Sequence, residues 1–286
     1  MPVNRNPTVR QRRLARTLKE LRTSRHLTIA QSAEHLACAE SKISRIEGAQ
    51  SGVRLVDLRL LLDLYEVRDP ETRGRLEVLA REGRLRGWWD RYSDTLSPSY
   101  ADYIALEADA SDMYSIQTLL VPGLLQIEDY TRAVVRAQIE DATPDQVETL
   151  TKVRQERREL LFRQSPLRTW AVLSESALRH HIGGASVMRA QLEYLASAAE
   201  LPNINIQILP ESSETHATLF GPVTILSFPD PAETDVAYVD SLLSTIYVEE
   251  PAEVFQYAQL FRRTLAESLP RTDSIQLITR LAKEMI

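Results

Sequence analysis

The sequence predicts an α+β chain: an N-terminal all-α domain of five short helices, a helical connector, and a C-terminal α+β domain with a mainly antiparallel sheet. Three observations predict it. Leucines and isoleucines recur at helical spacing from Leu14 past Tyr65. Beyond residue 167, short alternating or continuous apolar runs such as INIQILP and VTILSF are broken by Pro, Gly, Asn and Asp. Charge is segregated: residues 1–87 hold 18 Lys and Arg against 11 Asp and Glu, net +7, and the rest hold 16 against 29, net -13.

With 286 residues, 43% hydrophobic and 26% charged, the chain is long enough for two or more domains. The formal net charge of -6 conceals a basic segment suited to a polyanion and an acidic remainder that discourages non-specific contact with one. No run approaches the roughly 18 apolar residues that cross a bilayer, and MPVNRNPTVRQRR lacks the apolar core of a signal peptide, so a cytoplasmic protein without a membrane partner is expected. The single cysteine, Cys38, excludes an intramolecular disulfide and a cysteine-clustered zinc site; it reads as a small buried apolar residue.

In the first helix, Leu14, Leu18 and Leu21 make one apolar face, and Arg10, Arg12, Arg13, Arg16, Lys19 and Arg22 occupy the others. Thr28 caps a second helix of about two turns, with Ile29, Ala33 and Leu36 on one face. A turn leads to a third helix over 40–47, with Ile43 and Ile46 inward and Glu40, Ser41, Lys42, Ser44 and Arg45 outward. Leu58, Leu61, Leu62 and Tyr65 define a fourth, and Asp69-Pro70 opens a fifth as cap and first helical residue. A tight turn between the second and third helices is the helix-turn-helix arrangement, whose third helix enters the major groove of DNA.

The connector, 87–166, opens with GWWDRYSD and gathers much of the tyrosine. No flexible linker precedes it, so it is expected to pack on both neighbours. It reads as a helix over 101–109, an extended segment near 113–119, a turn at Pro122-Gly123 and a helix over 128–138. Thr143-Pro144-Asp145-Gln146 is a capping box opening a charged helix to about 164. In 167–286, strands are expected at TWAVLSE, INIQILP, VTILSF, DVAYVDS and STIYVEE, and helices over 187–199, 252–269 and 272–285. The domains are then 1–86, 87–166 and 167–286.

LTIAQSAEHLACAESKISRIEGAQ resembles the helix-turn-helix of the XRE class of bacterial regulators, which implies a lambda-repressor-like N-terminal fold. Leu27, Thr28, Ala33, Leu36, Ser41, Ile43, Ser44, Arg45, Ile46, Glu47 and Gly48 match that pattern. Three residues depart from it. Ile29 replaces a DNA-contacting glutamine, Ala37 the turn glycine, and Ala39 the capping serine. A left-handed Ala37 costs on the order of 1 kcal/mol, and the missing cap about as much.

GWWDRYSD, LEADAS, LLVPGLLQIEDYTRAVV, RQERRELL, VMRAQLEYLASAAELPNINIQILP and FPDPAETDVAYVD extend the likeness to actinobacterial XRE-class regulators with a C-terminal domain of unknown function. That resemblance implies DNA-binding transcription regulation, with repression among its modes; a homodimer is expected because one helix-turn-helix buries too little surface for tight specific binding. An antitoxin-like reading, in which the chain binds a small acidic partner protein and regulates its own operon, is the alternative.

The site residues expected from these patterns fall in three groups. Thr28, Glu40, Ser41 and Ser44 face the operator, with Glu40 able to accept from cytosine N4. Lys42, Arg45, Arg12, Arg13 and Arg16 meet phosphates. Trp88, Trp89, Tyr92, Tyr103 and Tyr130 mark a domain junction able to hold a small-molecule effector. No cofactor or metal is expected: His180 and His181 are adjacent rather than at i, i+4, and neither GxGxxG nor GxxxxGK[ST] occurs. Ser174, Glu175 and His180 suggest a hydrolase only weakly, since Ser and Glu are ordinary at helix starts, so catalysis is not expected.

Overall fold

A computed structural model of the chain describes residues 7–82, 87–213, 221–229, 233–240 and 245–285, so the domain border expected at residue 86 lies outside the described residues. The chain divides into two compact units: Met1–Arg91 with Pro98–Asp102, and Tyr92–Ser97 with Tyr103–Ile286.

The first unit contains α1 (Val9–Ser24), α2 (Ile29–His35), α3 (Glu40–Glu47), α4 (Leu55–Leu64) and α5 (Pro70–Glu82). Their apolar stripes meet in one core that includes Leu14, Leu18, Ala33, Ile43, Ile46, Leu58, Leu61 and Tyr65, and Cys38 packs half-buried against it. Thr8 with Gln11 and Thr28 with Gln31 form capping boxes at α1 and α2. At α5, the Thr72 N–H donates to the Asp69 carboxylate at 2.8 Å.

The first four helices are each followed by a left-handed residue that is not glycine: His26, Ala37, Ala49 and Glu66, at φ 54°, 47°, 55° and 56°. Gly48 is not one of them. It is the C-cap of α3 at φ -89°, where a Cβ would stand 3.1 Å from the Ser44 carbonyl oxygen.

The second unit is built on a six-stranded sheet in the order β3-β2-β1-β4-β5-β6, with β1 (Asp112–Gln117), β2 (Arg168–Ser174), β3 (Ile204–Leu209), β4 (Val223–Ser227), β5 (Val236–Asp240) and β6 (Thr245–Val248). Antiparallel pairing predominates, joining β1 to β4, β4 to β5 and β5 to β6. The β1–β2 and β2–β3 pairs are parallel. Their connections carry helices, α7 (Glu128–Gln138) with α8 (Pro144–Arg158), then α9 (Glu175–Arg179) with α10 (Ala185–Ala198), as parallel crossovers require.

The expected connector is therefore divided. α6 (Pro98–Asp109) begins in the first unit, but from Tyr103 the chain belongs to the second, because the extended segment read at 113–119 is β1, bonded on both sides within the sheet. The charged helix read to 164 ends at Arg158, and a 3-10 turn, Glu159–Leu161, follows.

Ile116, Val172, Ile225, Ala237 and Val248 share a core with Val254 and Phe261 of α11 (Pro251–Glu267), which covers one sheet face. α12 (Arg271–Glu284) packs on α10 and β3. Two polar devices fix the crossover helices. Gln191 on α10 accepts from the Ile127 N–H at 2.9 Å and donates to the Leu125 carbonyl at 2.7 Å. Arg157 on α8 grips Glu107 on α6 through two bonds of 2.7 Å, both residues buried.

Candidate nucleic-acid interface

α3 is held from behind and left polar in front. Ile43 and Ile46 anchor it in the core, and Glu47 in its last turn accepts from Arg22 Nε at 2.7 Å and Nη2 at 2.8 Å. Arg22 also donates to the Leu27 carbonyl at 2.6 Å, so one side chain joins α1, the α1–α2 turn and α3. On the other side, Glu40, Ser41, Ser44 and Arg45 are exposed, as is Thr28 at the start of α2. Ala39 offers no side-chain cap to α3, as its type dictates.

Lys42 is half-buried, and its Nζ lies 2.7 Å from a carboxylate oxygen of Asp57 in the first turn of α4. A phosphate must compete with that carboxylate for it. Arg45 Nε donates to the Ser41 carbonyl at 3.3 Å on its own helix, leaving an exposed guanidinium.

The α1 arginines part company. Arg13 is only 6% exposed, so little of its guanidinium is open to a DNA backbone. Arg12 donates to the Pro7 carbonyl at 2.6 Å and, with Arg10, faces Asp102. It also lies ten residues, about 15 Å, along the helix from Arg22, the residue tied to α3. Arg16 is exposed. Burial lifts the Asp102 carboxyl to about 6, against the pull of Arg12 and Arg10.

Two features of this surface escaped the sequence reading. Gln31 holds Thr28, its Oε1 accepting from the Thr28 N–H at 2.8 Å; the T-x-x-Q spacing was the available signal. Arg54, exposed at the start of α4, adds a cation that no motif announces.

The aromatic candidates divide between the two units. Trp88 and Trp89, in the first unit, meet edge to face with centroids 5.8 Å apart, and the Trp89 ring lies so close over Gly87 that a Cβ there would stand 2.3 Å from it. In the second unit, the Tyr92 hydroxyl donates to Glu156 at 2.7 Å, and Tyr103 is buried against Tyr238. Tyr130 lies inside the second unit. It is fully buried, and its hydroxyl accepts from the Val121 N–H at 3.2 Å.

Ser174 Oγ pairs with Ser176 Oγ at 2.7 Å, and Glu175 with Arg179 and the Glu211 N–H. Among the described residues no group of three or more His, Cys, Asp or Glu could hold a metal ion, and no helix is long and apolar enough to cross a membrane.

A family model described as a helix-turn-helix domain matches residues 13–76, and one described as a domain of unknown function (DUF5753) matches residues 100–280. No curated protein and no solved structure matches the chain.

Proposed function

We propose, from the premise that this chain belongs to the DUF5753 family and carries a DNA-binding helix-turn-helix domain ahead of that region, that it is a sequence-specific transcriptional regulator acting as a homodimer. The observation that carries the reading is the two-sided character of α3, clamped to the core through Ile43, Ile46 and Glu47 while presenting Glu40, Ser41, Ser44 and Arg45. Short polar side chains at the start of a recognition helix reach base edges, and cations beside them reach phosphates. One such motif buries too little surface for tight specific binding, which favours two copies on half-sites about one helical turn apart.

The second unit then serves as the regulatory part: it binds a small-molecule effector and has no catalytic role. Binding of a small acidic protein is the less favoured alternative, because residues 88–286 already carry a net charge of -13 and would repel it.

The test is selection of bound duplexes from a random library, followed by sequencing, for wild type, Glu40→Ala and Ser41→Ala. A motif of two related half-sites is expected, with preference relaxed by about 1 to 3 kcal/mol at one or two positions in the variants. Failure of wild type to enrich any motif overturns the reading.

A further inference from the structure

The sheet face turned away from α11 carries a row that the helical core does not explain. Cross-strand pairing aligns Ser115 on β1 with Thr224 on β4, Thr224 with Tyr238 on β5, and Tyr238 with Tyr247 on β6. These four side chains share one face, opposite that of Ile116, Ile225, Ala237 and Val248. The rings continue onto α6: Tyr103 and Tyr238 lie with centroids 4.3 Å apart and planes at 43°, and Tyr238 meets Tyr247 at 5.4 Å and 63°.

The two ends of the row differ in chemistry. At the inner end, Ser115 is 1% exposed and its Oγ is buried without a hydrogen-bond partner among the described residues. Buried hydroxyls are rarely left so, because forgoing water's hydrogen bonds costs about 1 to 3 kcal/mol. At the outer end, Tyr238 and Tyr247 are half-buried, so part of each side chain reaches the surface. Three strand spacings separate β1 from β6, about 14 Å, the length of a molecule of two or three fused rings. The charge beside it is already balanced: Arg157 lies 5.1 Å from the Tyr103 ring centroid and is matched by Glu107 through two 2.7 Å bonds.

We propose that the Tyr103–Tyr238–Tyr247 row with its Ser115–Thr224 inner end is a binding site for an uncharged, planar aromatic small molecule that carries a hydrogen-bonding oxygen. The rings offer faces and edges for stacking, Ser115 and Thr224 offer the polar contact, and a charged ligand would be desolvated beside an Arg157 already taken by Glu107. The assignment of this molecule as the effector rests on the regulator reading above; the site itself does not.

The test is ligand-observed NMR and titration of the full chain, without DNA, using flavone, xanthone and acridone, with xanthone-2-carboxylate as the charged comparator. Saturable binding of at least one neutral compound is expected, with the carboxylate about tenfold weaker or worse. Ser115→Val and Tyr238→Leu should each weaken the neutral compound by about tenfold. Thermal unfolding checks that both variants fold. The proposal is overturned if none of the three neutral compounds binds saturably, or if Ser115→Val and Tyr238→Leu bind as wild type does. Because no DNA is present, failure here leaves the duplex selection untouched. Binding that leaves operator affinity unchanged keeps the site and removes only its role as effector site.

Discussion

Arg22 and Glu47, 25 residues apart in sequence, form a two-bond fork at 2.7 and 2.8 Å that ties the end of the recognition helix to α1. Both side chains are largely buried, and hydrogen bonding to Glu47 raises the Arg22 pKa further above its ordinary value. Removing one partner of a buried pair strands the other charge, which costs more than the pair contributes. Arg22→Met and Glu47→Gln should each destabilise the first unit by about 3 kcal/mol, and the double replacement Arg22→Met with Glu47→Leu by clearly less than the sum. Urea unfolding monitored by helical circular dichroism checks this; additive losses would show that the two side chains do not act as a pair.

The left-handed helix ends make an opposite prediction. Ala37→Gly and Ala49→Gly relieve a Cβ clash at φ 47° and 55°, and each should stabilise the first unit by about 0.5 to 1 kcal/mol after the added flexibility of the unfolded chain is counted. In the second unit, Gly183 has φ +76°, and a Cβ there would lie 2.9 Å from Val187 Cγ1 and 3.1 Å from Ala133 Cβ. Gly183→Ala should destabilise by more than 1 kcal/mol. Melting temperatures that fall in the first two variants, or hold steady in the third, contradict this account.

Salt dependence separates the cations. Arg45→Gln should weaken DNA binding for all sequences and reduce the slope of log affinity against log salt by about one. Lys42→Gln should change it less, since Asp57 already occupies Lys42, and Asp57→Asn should strengthen binding by releasing that lysine. Arg13→Gln should leave the slope unchanged and lower stability, as its burial requires. Fluorescence anisotropy on a labelled duplex from 50 to 200 mM salt, a range on the order of that over which phosphate contacts are resolved, measures all four.

Asp102 sets a pH dependence. Its folded pKa is raised from 3.8 to about 6, so between those values the folded chain holds a proton that the unfolded chain has released. Stability therefore falls as pH rises through this window and stays lower above it. Asp102→Asn should match wild type below pH 4, an approximate bound set by the carboxylate reference value, and exceed it by about 2 kcal/mol at neutral pH. Equal stabilities at neutral pH would show that the carboxyl is ionised without penalty.

Much of the local structure was legible because local chemistry decides it. The bounds of α3 and α7 follow from apolar spacing, Thr28 and Thr143 act as caps because a hydroxyl stands three residues before a free N–H, and the five strands after residue 167 follow alternation between breakers. The polar face of the recognition helix is legible for the same reason, since Ile43 and Ile46 fix which side turns inward.

What only the tertiary structure decided involves partners distant in sequence. An apolar run such as MYSIQ becomes the sheet's β1 only when β2 and β4, both more than fifty residues later, bond to its two edges, and periodicity carries no information about that choice. Arg12, Arg13 and Arg16 are the same residue type within five positions, yet one faces Asp102, one is buried and one is exposed; packing around α1 separates them. Tyr103 and Tyr130 are the same residue type, but one packs against the Tyr238 ring and the other is sealed with its hydroxyl accepting from the Val121 N–H. The sequence by itself determined most of the helices, though not α9, and which face of α3 is polar, because those depend on neighbours within a turn. The clamp behind α3, the cations left exposed and the tyrosine row across the sheet depended on long-range packing, where burial and strand register choose among residues that the sequence leaves equivalent.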